Sequence, residues 1–326
     1  MKYDIVTIGG AVEDITFTTK EGQVIDNKKD ILRQQLLAFE YGAKIVIDNA
    51  EFNLGGGATN VAVSASRLGL KSATICCINK STRSVRIIKN LKNEGVDIKF
   101  IQKDKDTNSG FSVSLVLYPE NEHTIFTYRG SNDKLKITSP LLKEIESEYL
   151  YVCSLDGDWK KNIKNIFKYS KKFKIAWNPG SVQLKDGTSI VKKYLKKTEV
   201  VILNQDEATE LVVNDKKIMS NRKHNATFLN GVKNLLQVIH KYGPKIVVIT
   251  RGKSGVDVYD GEKFYHSNII ESKRVDTTGV GDAFGSSFIS GLMLYNNDIN
   301  KAIQLGIKNT ASVVSKRGAQ NGLIKS

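Results

Sequence analysis

The chain has 326 residues, 40% hydrophobic and 8% aromatic, with 49 basic against 34 acidic side chains and a formal net charge of +15. No apolar run approaches the ~20 residues that span a bilayer, the four histidines offer no paired zinc ligands, and the three cysteines cannot build a disulfide framework. The lysines are spread along the chain in runs such as 160–174, which reads as a solvated basic surface and not as a specific nucleic-acid site. The opening "MKYDIVTIGGAVED" lacks the ~7–15-residue apolar core of a signal peptide, so a cytoplasmic protein without a membrane partner is expected.

In chain order, "YDIVTIGG" reads as a buried strand ending in a glycine turn, with Asp14 just beyond it. Residues 58–68 read as a helix stopped by Gly69, and "SATICCI" (72–78) as the next strand. Further strands are expected at 149–155, 174–178, 200–204 and 245–250, with helices at 83–94, 160–171 and 228–241 among them. Near-continuous apolar strands alternating with helices argue for an α/β fold: one domain over 1–326, its mostly parallel central sheet flanked by helices. Two stretches, approximately 16–50 and 105–130, instead alternate polar and apolar residues, with a turn at "PENEH"; they predict a small β-sheet lid.

The stretch "VDTTGVGDAFGSSFISGL" (275–292) is no dinucleotide fingerprint, because Phe284 stands where the third glycine belongs. The nearest approach to a Walker loop, Gly252-Lys253-Ser254, has Val247 in place of its first glycine. What remains is a turn running into a helix start, where unpaired N–H groups favour an anion and glycines let it approach. Asp282 there is either a general base or an ordinary N-cap. A second glycine turn, "FNLGGGATNVAVSASRLG" (52–69), carries Asn60. In open α/β sheets ligands sit beyond the carboxyl ends of the strands, so both turns and Asp14 are expected at one crevice. "LNQDEATEL" adds Asn204 and Glu207, either a partner for water-shielded magnesium or a plain first-turn acid.

These pieces, in this order, resemble the ribokinase-like (PfkB) family of carbohydrate and nucleoside kinases. "GGGATNVAVSASRLG" and "DTTGVGDAF" are similar to its amino-terminal and carboxy-terminal signatures, and the resemblance runs to "SKRGAQNG" (315–322). It implies transfer of the γ-phosphate of ATP, with Mg2+, to a hydroxyl of a sugar. The alternatives are a nucleoside or phosphosugar kinase and, from another class, an inactive binding module. By resemblance Asp282 is the base, and Gly279, Val280 and Gly281 form the anion hole. Asp14, Gly56, Gly57 and Asn60 bind the acceptor. Asn204, Thr250, Gly252, Gly255 and Asn309 bind ATP, and Glu207 holds magnesium through water. Asp276, with backbone around Val313, Lys316 and Gly318, resembles a monovalent-cation (K+) site, and a homodimer through the lid belongs to the same set of expectations.

The chain departs from the family after residue 78, where "NKSTRSVRIIKNLKNEGVD" lacks the usual glycine and aspartate. Arg83 and Arg86 in this segment are read as solvated residues on a helix packed through Val85, Ile88 and Leu91, against the rival that one pairs with an acceptor phosphate. "WNPGSVQL" (177–184) also lacks the acidic pattern common at that place.

Overall fold

Six parallel strands form the centre of the molecule, in the order Ser72–Ile75, Tyr3–Ile8, Ser147–Val152, Lys174–Trp177, Val200–Asn204 and Ile246–Thr250. Val256–Tyr259 and Phe264–Ser267 extend one edge as antiparallel strands. The computed structural model describes residues 2–27, 35–118, 123–220 and 226–326. Strand side chains alternate between two cores. Val6, Ile8, Leu150, Trp177 and Val201 face the helices Trp159–Lys168, Gln205–Val213 and Val232–His240. Ile5, Tyr149, Tyr151, Val200 and Ile202 face Gly57–Arg67, Val280–Leu294 and Ile299–Val314. Burial on both faces explains why these strands read as unbroken apolar runs. It also puts both glycine turns on one side of the sheet.

Val12–Thr19, Asn49–Gly55, Phe111–Leu117 and His123–Tyr128 form a separate four-stranded sheet, the lid. Its register makes two contrasting rows. Asn53, Asp14, Ser112 and Thr127 lie side by side on one face; Phe52, Ile15, Val113 and Phe126 lie side by side on the other. The lid begins at Val12, so Asp14 belongs to a lid strand and not to a loop after the first strand. Residues 119–122 of the expected turn at "PENEH" and residues 28–34 of the first lid segment lie outside the described residues.

Local expectations needed correction. The 72–78 run breaks after Ile75, and Cys77–Ile78 pairs instead with Gln102–Lys103. Gly231 divides 228–241 into Ala226–Asn230 and Val232–His240. The helix Thr82–Asn93 packs through Ser84, Ile87 and Leu91, whereas Val85 is 64% exposed. Ser84 occupies the inner position because its hydroxyl bonds to the Ser109 hydroxyl at 2.6 Å and donates to Asn79 Oδ1 at 3.0 Å.

Candidate active site

Gly56 and Gly279 begin the two helices that frame the site. Gly56 has φ +98°, and a Cβ there would meet the Gly10 carbonyl oxygen at 2.5 Å, so only glycine lets this turn lie against the first strand's end. Gly279 caps Val280–Leu294 at φ +75°, against Ala319. The first intrahelical bond is donated by Ala283 to the Gly279 carbonyl at 2.8 Å, and the Val280 N–H turns back to the Thr277 carbonyl at 3.4 Å, so the other N–H groups of this helix start have no intrahelical partner. Nothing stands within 4 Å of where a Gly281 side chain would begin, so this turn is open.

Asp282 is not the N-cap. It is the third residue of its helix, no side chain caps that helix, and its Oδ2 accepts from Asn60 Nδ2 at 2.8 Å. Burial raises its carboxyl above the usual aspartate range, the Asn60 bond lowers it, and the charge of Asp14 adds to the rise. Asp14 is raised as well, first by burial, while the Ser112 hydroxyl donates to its Oδ1 at 2.5 Å and opposes the rise. Asp282, Gly56, Gly57, Gly10 and Val12 line a cleft of about 290 Å³ together with Asn132, Ser154, Asp156, Asn178 and Arg129. Arg129 is ion-paired with Asp156 across this cleft.

A second cleft of about 800 Å³ lies on the other side of the 276–282 turn. Thr277 and Val280 line it, with Gly252, Lys253, Asn268 and Arg274 and an apolar wall that includes Ile269, Ile270, Ile307 and Val314. One turn is thus the common wall of both clefts. Asp276 braces it: its carboxylate accepts from the N–H of Thr278 at 2.8 Å and of Gly318 at 2.9 Å.

The remaining expected residues are placed differently. Asn204 and Glu207 cap one helix start reciprocally: Glu207 N–H donates to Asn204 Oδ1 at 2.8 Å, and Asn204 N–H donates to Glu207 Oε2 at 2.9 Å. Burial raises the Glu207 carboxyl. Thr250 is in register beside Asn204, and neither residue, nor Glu207 or Gly255, lines either cleft. Asn309 is fully buried. Its Nδ2 donates to Ser64 and Ser287, and its Oδ1 accepts from the Ile324 N–H, while its neighbours Ile307, Thr310 and Ala311 line the second cleft.

Arg83 and Arg86 are not simply solvated. Both pair with the buried Glu13, Arg83 Nε at 2.9 Å from its Oε2, and the Arg83 guanidinium lies 4.6 Å from the Phe111 ring centroid. Glu13 alternates with Asp14 along its strand, so the two arginines are bound to the opposite face of the lid from Asp14.

Ser154, Asp156, Asn178 and Asn132 escaped the sequence reading. Ser154, Asp156 and Asn178 follow the ends of parallel strands, so the rule that drew attention to Asp14 applies equally to them. The Asn178 side chain also donates to the Ile202 carbonyl at 2.8 Å, which gives the "WNPG" departure a structural role. Among the described residues no group of three or more His, Cys, Asp or Glu is arranged to hold a metal, and no helix is long and apolar enough to cross a membrane.

Two clefts divided by a glycine turn at a helix start, with a carboxylate on one side and a lid above, fit a phosphotransferase with an alcohol acceptor. The chain belongs to the pfkB family of carbohydrate kinases, whose family model matches residues 25–326. It is 24% identical to an ATP-dependent 6-phosphofructokinase of Thermoanaerobacterium thermosaccharolyticum, over 98% of this chain and 90% of that one. Its fold matches Arabidopsis thaliana ribokinase complexed with ribose and ATP (TM-score 0.77, 17% identity, 100% of this chain and 96% of that one). It also matches a Methanocaldococcus jannaschii nucleoside kinase (TM-score 0.74, 19% identity, 99% and 95%).

Proposed function

We propose that the protein transfers the γ-phosphate of ATP to a hydroxyl of a neutral sugar, with Asp282 as the base. The carrying observation is the shared wall. An acceptor in the smaller cleft and a nucleotide in the larger one meet at the Gly279–Gly281 turn, whose N–H groups suit the charge on a phosphoryl group in transfer. Asp282 Oδ1 lies on the acceptor side, beside Gly57, and is placed to take the hydroxyl proton.

Charge favours a neutral acceptor. Asp156 and Asp282 line the smaller cleft and offer oxygens to sugar hydroxyls, and Arg129, the only cation among that cleft's described residues, is already paired with Asp156; Asp14 does not line the cleft and is bonded to Ser112. Arg83 and Arg86 are held by Glu13. Mg2+, which keeps several of its waters, would suit this chain better than a metal needing an all-protein cage, because no group of three or more acids is arranged to hold a metal among the described residues; Glu207 would contribute through a water. The same reading extends to K+ held by backbone carbonyls near Asp276, tested by turnover in potassium against choline salts. It also extends to a homodimer through the apolar lid row and to a cytoplasmic setting, which suits three free cysteines.

A coupled ADP-release assay with ATP and Mg2+ across pentoses, hexoses, their phosphates and nucleosides tests the function. We expect a neutral sugar to give the highest kcat/KM. A phosphosugar preferred by more than tenfold, with the preference lost in Arg129→Gln, would reverse the acceptor assignment.

A further inference from the structure

Three side-chain amides stand in line behind Asp282. Asn90 Nδ2 donates to Gln320 Oε1 at 2.8 Å, Gln320 Nε2 to Asn60 Oδ1 at 3.0 Å, and Asn60 Nδ2 to Asp282 Oδ2 at 2.8 Å. They come from three separate parts of the chain: the helix Thr82–Asn93, the carboxy-terminal turn and the helix Gly57–Arg67. Gln320 and Asn60 are 6% and 4% exposed.

An amide has one donor end and one acceptor end, so the line has a polarity. As it stands, every NH2 group points toward the carboxylate, and aligned hydrogen bonds in a low-dielectric interior strengthen one another. The reversed line would set Asn60 Oδ1 against Asp282 Oδ2, an arrangement that suits only a protonated carboxyl. The polarity of the amides and the charge of Asp282 are therefore tied together. Gln320 is held independently of any ligand, because Arg67 Nη1 donates to its backbone carbonyl at 2.8 Å while Arg67 pairs with Glu94 at 2.6 Å.

We propose that Gln320 and Asn90 are positioning residues for Asp282: they orient the Asn60 amide so that it satisfies Oδ2 and leaves Oδ1 turned to the acceptor. This inference rests on Asp282 being the base. Burial and Asp14 push the Asp282 carboxyl up, and the Asn60 donation opposes them, so the line keeps the base ionised to lower pH.

Asn90→Asp tests the polarity with almost no change of shape. The new carboxylate only accepts, so Gln320 turns its NH2 toward it, Asn60 turns its NH2 toward Gln320, and Asn60 Oδ1 comes to face Asp282. The acid limb of the kcat/KM profile is expected to move up by about one pH unit, the typical size of one hydrogen bond to a carboxylate. The KM for ATP should stay unchanged. Gln320→Met breaks the line without adding charge and should shift the limb in the same direction, which separates relay polarity from the new charge. Asp282 titration followed by infrared spectroscopy, its band assigned by loss in Asp282→Asn, reads the effect without turnover and should rise in both variants. Folded variants whose limb and infrared titration both coincide with wild type would overturn the relay, even if kcat and Tm had fallen. Undiminished turnover in Asp282→Asn would instead remove the base itself.

Discussion

Asn60 and Asp282 are 222 positions apart in the chain, and the amide of one donates to the carboxylate of the other at 2.8 Å. That bond joins the two glycine turns into one device. Each helix starts with a glycine in a conformation other residues avoid, each packs on the same face of the sheet, and the polar side chains of their first turns meet between them. Neither turn alone distinguishes a ligand site from a tight corner. Together they close one side of the smaller cleft and leave the larger cleft on the other.

Asp282→Asn is expected to fold, bind ATP through the unchanged backbone turn and phosphorylate its acceptor at least ~100-fold more slowly, the usual cost of losing a positioned base. Its stability should also change in a defined direction. The folded carboxyl titrates above its unfolded value of 3.8, so ionising it opposes folding. The penalty is absent below the unfolded pKa, grows as pH rises toward the folded pKa and is complete above it. Asn carries no such penalty. At pH 7 the variant should match or exceed wild type in Tm, and its advantage should shrink as pH falls toward 4. A clear loss of Tm at pH 7 would show that Asp282 is structural.

Arg83→Ala is expected to act on stability and not on acceptor choice. It removes one of two guanidinium partners of a buried carboxylate and uncovers the Phe111 ring, at a cost of about 1.5–3 kcal/mol. Urea unfolding measures that cost, and the ratio of kcat/KM for a neutral sugar to that for its phosphate should stay within twofold of wild type. A selective loss of phosphosugar turnover would place Arg83 at the acceptor after all.

Phe126→Asp should dissociate the dimer we infer. Phe52 and Phe126 are 56% and 59% exposed and share one row across the lid with Ile15 and Val113, an apolar strip of the kind that marks a protein–protein contact. Sedimentation velocity should show a dimer for wild type and a monomer for the variant. A monomeric wild type at micromolar concentration would leave the strip without this partner.

The sheet and both glycine turns were legible because burial on two faces and a forced backbone leave marks in residue type. What escaped the sequence depends on rotation about a helix or on partners far along the chain. Hydrophobic spacing selects Val85, yet Ser84 faces inward because hydroxyl partners await it there. Asn309 sits on the same helix as the cleft residues Ile307, Thr310, Ala311 and Val314, and its own direction carries it into the core. Glu13 looks like one acid beside another until its strand shows that it and Asp14 face opposite ways. Arg129 and Asp156 become a pair only when the lid lies over the sheet.

Glu207→Gln separates the cap from the metal. Glutamine at the third helical position completes a capping box as glutamate does, so the helix start and Tm should be nearly unchanged. The negative charge is what the variant loses. If Glu207 serves Mg2+ through a water, the Mg2+ concentration for half-maximal turnover should rise by about tenfold, the scale set by losing a partner outside the metal's own ligands, while the acceptor KM stays fixed. Burial raises the Glu207 carboxyl above 4.5 despite the Asn204 N–H, so its charge is complete only above that raised value. The wild-type demand for Mg2+ should therefore increase as pH falls through that value, and Glu207→Gln should flatten this dependence. An unchanged Mg2+ requirement in the folded variant would leave Glu207 as a helix cap alone.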